Sequence, residues 1–144
     1  MDSQKRLDHL QSVLRERGNR LTPQRVAILR AIVSDDTHPS AEQIHSEILR
    51  DFPTTSLATV YKTISLLKEI GEILELGFGD DGSRFDGRKP YPHPHLICTK
   101  CGAILDSEVD NFNKLIDNLA SQNGFSVQTH RFDIFGLCSA CNKD

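Results

Sequence analysis

All four cysteines of this 144-residue chain fall into two Cys-x-x-Cys pairs, Cys98/Cys101 and Cys138/Cys141. Two intervening residues let both sulfurs of a pair turn toward one ion, and four thiolates are the donor set of a closed, tetrahedral structural zinc site. The pairs stand 36 residues apart, so the segment between them must fold back to bring them together. Such a site stabilises a small fold outright, because metal binding is coupled to folding. Disulfides and reactive thiols are the competing uses of paired cysteines, and a reducing compartment disfavours the first.

A second group offers harder chemistry. His93 and His95 lie two apart on an extended segment, where side chains alternate, so both imidazoles point to one side. Asp106 follows the first cysteine pair on a strand expected to return beside them. Asp86 lies at the exit of an expected hairpin, and His38 lies in a loop between two expected helices. Three imidazoles and two carboxylates make an N3O2 set, suited to Fe(II), Mn(II) or Zn(II) rather than Cu(I). Ordinary roles are open to three members: His38-Pro39 as an exposed turn, Asp86 as a hairpin cap, Asp106 as the cap of a helix beginning near Glu108. His130 has three uses open to it: core, interface or a further ligand. His9 and His45, on helices without partners in sequence, read as surface residues.

The elements that must position these groups are legible from pattern. Residues 4–17 read as a helix with Leu7, Leu10 and Leu14 on one face, stopped by Gly18. Thr22-Pro23 starts a second helix, with Val26, Ile28, Leu29, Ile32 and Val33 on its buried side, broken at Thr37-His38-Pro39. Ser40 and Gln43 form a capping-box pattern for a third, and Ser56 caps a fourth carrying Val60, Ile64 and Leu67. The apolar run 73–78, the turn Gly79-Asp80-Asp81-Gly82 and Ser83-Arg84-Phe85 predict a hairpin. Helices followed by a hairpin describe a winged helix-turn-helix, a DNA-reading module.

Beyond a proline-rich hinge, two short strands flank the first cysteine pair. Val109, Phe112, Leu115, Ile116 and Leu119 stripe a helix ended by Asn123-Gly124, and Phe125 to Phe135 reads as one long β run. The expected class is α+β: an N-terminal winged helix-turn-helix domain over 1–86, a hinge over 87–92, and a small α/β dimerisation and metal-binding domain over 93–144 with the four-cysteine zinc site. A half-domain of about 55 residues is too small to be comfortable alone, so a homodimer is expected.

Net charge is −3, but residues 1–30 hold seven basic side chains against three acidic ones, while residues 91–144 hold four against six. Charge alone does not point to DNA, but its distribution leaves room for a DNA-binding face in the first half, with bound divalent cations offsetting the acidity of the second. No stretch approaches the roughly 18 apolar residues of a membrane span, and the N-terminus lacks a signal-peptide apolar core. A cytoplasmic location with no membrane partner is expected.

Together, Arg20-Leu21-Thr22-Pro23-Gln24-Arg25, His38-Pro39-Ser40-Ala41, Ser56-Leu57-Ala58-Thr59-Val60-Tyr61-Lys62-Thr63 and His93-Pro94-His95-Leu96-Ile97-Cys98-Thr99-Lys100-Cys101-Gly102 resemble the ferric uptake regulator (Fur) superfamily. The resemblance runs from about residue 7 to Cys141. It implies a dimeric, metal-responsive winged-helix repressor of transcription. Within the superfamily the chain is most similar to the peroxide-stress regulators, the PerR group, whose regulatory ion is held by residues matching His38, Asp86, His93, His95 and Asp106. Aspartate at 106 and at 86 carries the subgroup, since iron-sensing members tend to glutamate there. Pro94 replaces a carboxylate of an additional Fur metal site, and His130 matches another of its ligands.

The resemblance further implies that Fe(II) at the regulatory site makes His38 and His93 oxidation-sensitive toward hydrogen peroxide, whereas Mn(II) supports DNA binding without that response. Tyr61 and Lys62, near the start of the fourth helix, are expected in the major groove of a pseudo-palindromic operator. Arg20 suits an A/T-rich minor groove, and Arg25 a phosphate or an internal partner. An iron- or zinc-responsive uptake repressor without peroxide sensing is the alternative within the superfamily. A small metalloenzyme is disfavoured, since no H-E-x-x-H and no substrate-sized second domain is present, so no organic substrate is expected.

Overall fold

Asp2 opens the first helix, α1 (Ser3–Glu16), by accepting hydrogen bonds from the amides of Gln4 and Lys5. Leu7, Leu10 and Leu14, spaced by three and four residues, are its buried side. Gly18, at φ 80°, takes the left-handed conformation that ends the helix. The Thr22 hydroxyl then caps the start of α2 (Pro23–Ser34) through the amide of Arg25. Ser40 and Gln43 make a reciprocal capping box at α3 (Ala41–Ile48), and Ser56 caps α4 (Leu57–Glu69). The computed structural model describes residues 2–34, 38–77 and 82–143. Thr37, and Phe78 with the expected turn at Gly79-Asp80-Asp81, lie outside them.

The four helices share one core, in which Leu10, Leu14, Ile28, Leu29, Ile44 and Leu67 are sealed from solvent. Each such side chain contributes about 1.5–3 kcal/mol on burial, which makes this core the main stabiliser of its unit. β1 (Leu74–Gly77) and β2 (Ser83–Asp86) pair antiparallel, with Leu74 opposite Asp86, and Phe85 turns inward to join the core. The chain divides into two units, Met1–Pro90 and Tyr91–Asp144.

In the second unit β3 (His95–Cys98) is the centre of a three-stranded sheet of order β4-β3-β5. β4 (Ile104–Asp106) runs antiparallel to it and β5 (Asp133–Gly136) parallel. α5 (Phe112–Gln122) lies between β4 and β5 in sequence and starts four residues later than Glu108, so Asp106 belongs to a strand and does not cap a helix. The expected β run from Phe125 to Phe135 is shorter than its composition suggests: only Asp133–Gly136 is strand. The reason is pairing, since β3 offers β5 four register positions and residues 125–132 meet no neighbouring strand among the described residues. Composition alone does not supply a hydrogen-bonding partner.

No residue of α5 is buried, although Leu115 and Leu119 repeat at helical spacing; both are about half exposed, and Phe125 is 70 % exposed. Among the described residues no helix is long and apolar enough to cross a membrane.

Candidate metal centres and nucleic-acid interface

The cysteine pairs sit on two tight turns that the backbone builds without help. The Gly102 amide donates to the Cys98 carbonyl, with Gly102 at φ 77°, and the Cys141 amide donates to the Cys138 carbonyl. The Thr99 amide donates to the Gly136 carbonyl at 2.8 Å and so ties the exits of β3 and β5 together, which draws the turns to one point. All four Sγ atoms lie within 4.8 Å of one another, and Cys101 Sγ stands 3.7 Å from Cys138 Sγ. Bonds of about 2.3 Å in a tetrahedron separate sulfurs by roughly 3.8 Å, close to the Cys101–Cys138 spacing, so the four thiols are gathered as a zinc site needs. The Cys101 amide, then that of Cys138, hold the Cys98 thiol down at about 5, whereas the neighbouring Cys138 and Cys98 sulfurs push Cys141 up to about 12. Four thiols this close cannot all ionise unless a cation joins them.

Of the harder set, three members lie in the second unit. His95 and Asp106 are paired across β3 and β4. The Nε2 atoms of His93 and His95 converge on one oxygen, Asp106 Oδ1, at 3.0 and 3.3 Å. Donors at right angles around an ion with bonds near 2.1 Å stand about 3.0 Å apart, so the spacing suits a six-coordinate centre. His93 Nδ1 donates to the Tyr91 carbonyl at 2.7 Å, which leaves its Nε2 lone pair for a metal. Both imidazoles are buried.

The other two lie in the first unit. His38 holds φ at 61°, the left-handed region that costs a non-glycine residue about 1–2 kcal/mol. Arg84 Nε holds it there by donating to the His38 carbonyl at 2.5 Å, and the Phe85 amide bonds the adjacent Pro39 carbonyl. In that conformation His38 Nε2 faces Asp86 Oδ2 at 3.3 Å. Asp86 Oδ1 accepts from the amides of Arg88 and Lys89, so the residue caps the hairpin exit and presents its second oxygen to His38. Strain at a buried residue opposite a buried carboxylate points to function rather than to an idle turn.

Tyr61 and Lys62 are both exposed in the first half of α4, as a groove-entering helix requires, and Arg20 is exposed ahead of α2. Arg25 Nη1 donates to the Arg20 carbonyl at 2.6 Å in an exposed bond. Two partners escape pattern reasoning. Glu42 on α3 accepts from the Tyr61 hydroxyl at 2.9 Å; its own backbone hydrogen bond and then this one lower the carboxyl's pKa, and the same contact raises the phenol's. Arg6, one of the basic side chains of residues 1–30, is buried and bonded to Glu72. Its position beside Leu7 on the inner side of α1 is the available signal. His45 bonds the Thr55 carbonyl at 2.7 Å, while His9 is exposed beside Glu72. His130 stacks edge-on against Phe112.

A profile of the ferric uptake regulator family matches residues 16–135. The peroxide-responsive repressor PerR of Staphylococcus aureus is 41 % identical over 128 residues, 89 % of this chain and 86 % of that protein. The structure of the Helicobacter pylori ferric uptake regulator, with three functional metal-binding sites, superposes with a TM-score of 0.82 at 22 % identity, over 100 % of this chain and 96 % of that one. A zinc uptake regulator complexed with zinc and DNA superposes with a TM-score of 0.71 at 25 % identity, over 98 % and 95 %.

Proposed function

Since the chain belongs to the ferric uptake regulator family, we propose that it is a metal-dependent, DNA-binding transcriptional repressor that senses peroxide through oxidation of its own histidine ligands. Cys98, Cys101, Cys138 and Cys141 hold a structural zinc. His38 and Asp86 from one unit, with His93, His95 and Asp106 from the other, hold a single regulatory Fe(II) or Mn(II). The convergence of two imidazole nitrogens on Asp106 Oδ1 is the observation that carries the second site. The incomplete His38–Asp86 pair in the first unit supports sharing, since two donors alone make a weak site.

Ligands drawn from both units make ion occupancy a brace between DNA-binding and dimerisation parts. Two recognition helices in a homodimer must stand about 34–36 Å apart to enter successive major grooves of a pseudo-palindromic site. Any ion that prefers the braced arrangement shifts the population toward it by its difference in affinity. Tyr61 and Lys62 read the major groove of an A/T-rich operator, and Arg20 the minor groove beside it. The unburied apolar faces of α5 and of the sheet in the second unit supply the surface for a second copy.

Fe(II), when bound, would supply one electron toward cleaving the O–O bond of hydrogen peroxide, while an adjacent ring would give up the two electrons of the net oxidation as it gains one oxygen and the other leaves as water. His38 and His93 are the rings that receive the oxygen, and an oxidised imidazole no longer binds the ion well enough to keep the brace. The protein is consumed by each event, so it acts as a regulator without turnover of an organic substrate.

The test is operator binding by Fe(II)- and Mn(II)-loaded protein under anaerobic conditions, before and after micromolar peroxide, with masses of the peptides carrying His38 and His93. Loss of binding in the iron form alone, with one oxygen added to either peptide, is expected. Binding that survives peroxide and tracks free Fe(II) or Zn(II) would replace this reading with a metal-uptake repressor.

A further inference from the structure

His95 occupies the central strand of the second unit's sheet, and the register puts a carboxylate on each side of it. Asp106 is its partner on β4 and Asp133 its partner on β5, so the three side chains form one row across the sheet. His95 Nε2 lies 3.3 Å from Asp106 Oδ1, and His95 Nδ1 lies 3.6 Å from Asp133 Oδ1. The two carboxylates differ in surroundings. Asp106 also faces His93, whereas Asp133 Oδ2 accepts from Arg131 Nη2 at 2.7 Å. Asp133 Oδ1 is buried and accepts no hydrogen bond among the described residues.

A buried carboxylate oxygen without a donor is costly, and the Nδ1–H of His95 is within a small ring tilt of supplying one. A separation of 3.6 Å exceeds a made hydrogen bond, and a shift of a few tenths of an ångström closes it. His93 meets the same requirement with the Tyr91 carbonyl. A metal-bound imidazole needs an acceptor at its far nitrogen, both to hold the ring and to keep the proton off the ligand atom.

We propose that Asp133 is a positioning residue for the regulatory ion: it accepts from Nδ1–H of His95, fixes the tautomer that leaves Nε2 bare toward Asp106, and is itself anchored by Arg131. This rests on the reading that His93, His95 and Asp106 are ligands. Asp133 lies some 27 residues downstream of the last of them, inside an apolar run, and only the parallel pairing of β3 with β5 makes it His95's neighbour.

The experiment uses the full-length, zinc-loaded protein and Mn(II) as the probe. Asp133→Ala is expected to weaken Mn(II) binding about 10–100-fold, with zinc content and oligomeric state unchanged. Asp133→Asn, whose amide oxygen still accepts, is expected to stay within about threefold of the parent. In the parent with diamagnetic Zn(II) also filling the regulatory site, nitrogen-15 NMR should find the His95 proton on Nδ1. Mn(II) affinity within twofold of the parent for Asp133→Ala, or a His95 proton on Nε2, overturns the proposal. His95→Ala and Asp106→Ala separate the two levels. If they abolish Mn(II) binding while Asp133→Ala does not, only the positioning role falls; if they too leave it intact, the ligand assignment falls with it. Should Asp133→Ala lose zinc, the tautomer of the parent protein decides.

Discussion

Arg6, near the start of the chain, donates its guanidinium Nε to the main-chain carbonyl of Gly87, 81 residues later, at 2.6 Å. The same group donates from Nη1 to the Glu72 carboxylate and from Nη2 to the Glu72 carbonyl, at 2.7 and 2.8 Å. One buried side chain on α1 thereby holds the segment leading into the hairpin and the residue next to Asp86 as it leaves. Removing one partner of such a pair strands the other, so Arg6→Met is expected to cost about 3 kcal/mol in thermal or denaturant unfolding.

That penalty depends on pH. Burial works to raise the Glu72 carboxyl, but hydrogen bonds from Arg6 and His9 and their charge outweigh it, and its pKa lies below the ordinary value. A depressed carboxylate contributes stability that is present above its unfolded pKa of about 4.3 and is lost as pH falls through the lower folded value. The gap between parent and Arg6→Met should therefore be full near neutrality and shrink below about pH 4. A gap constant down to acid unfolding would assign the loss to packing instead.

A Cβ on Gly87 would sit 2.1 Å from Ile32 Cγ2, a branched methyl with little freedom to move. Gly87→Ala is expected to destabilise by about 1–3 kcal/mol and, by displacing the adjacent Asp86, to weaken Mn(II) binding. Combined with Ile32→Ala, it should cost less than the sum of the single changes, because the clash is gone. Additive losses in a double-mutant cycle would show that the site relaxes freely.

Because Glu42 accepts from the Tyr61 hydroxyl, the ring is the part of Tyr61 left for the proposed contact with DNA. Tyr61→Phe should bind operator within about twofold of the parent, whereas Tyr61→Ala should lose about tenfold, on the scale of one good groove contact. Fluorescence anisotropy at fixed salt measures both. Equal losses for the two variants would assign the contact to the hydroxyl.

Leu115 and Leu119 lie on the one described helix with nothing buried, and about half of each faces outward. Replacing both by Glu is expected to convert dimer to monomer in sedimentation, with zinc retained, since neither belongs to the cysteine turns. Cys138→Ser, by contrast, should release zinc and unfold the second unit together, because the ion closes its two turns. Zinc lost without loss of structure would mean that the sheet stands on its own.

Much of this protein is determined by local sequence. Ser40 with Gln43, Ser56, Thr22 with Pro23 and Gly18 mark helix ends through hydrogen bonds that span only a few residues, so they are legible without a structure. The cysteine pairs and His93-x-His95 are equally plain, because short fixed spacings dictate direction. What only tertiary structure decides depends on contacts between residues far apart in the chain. The run from Phe125 to Phe135 has strand composition throughout, yet β3 offers partners only to its end. Arg6 reads as surface charge until Glu72 and Gly87 close around it, and Asp133 acquires a role only when β5 lies beside His95. Spacing encodes which way a side chain points; pairing across the fold decides what it meets.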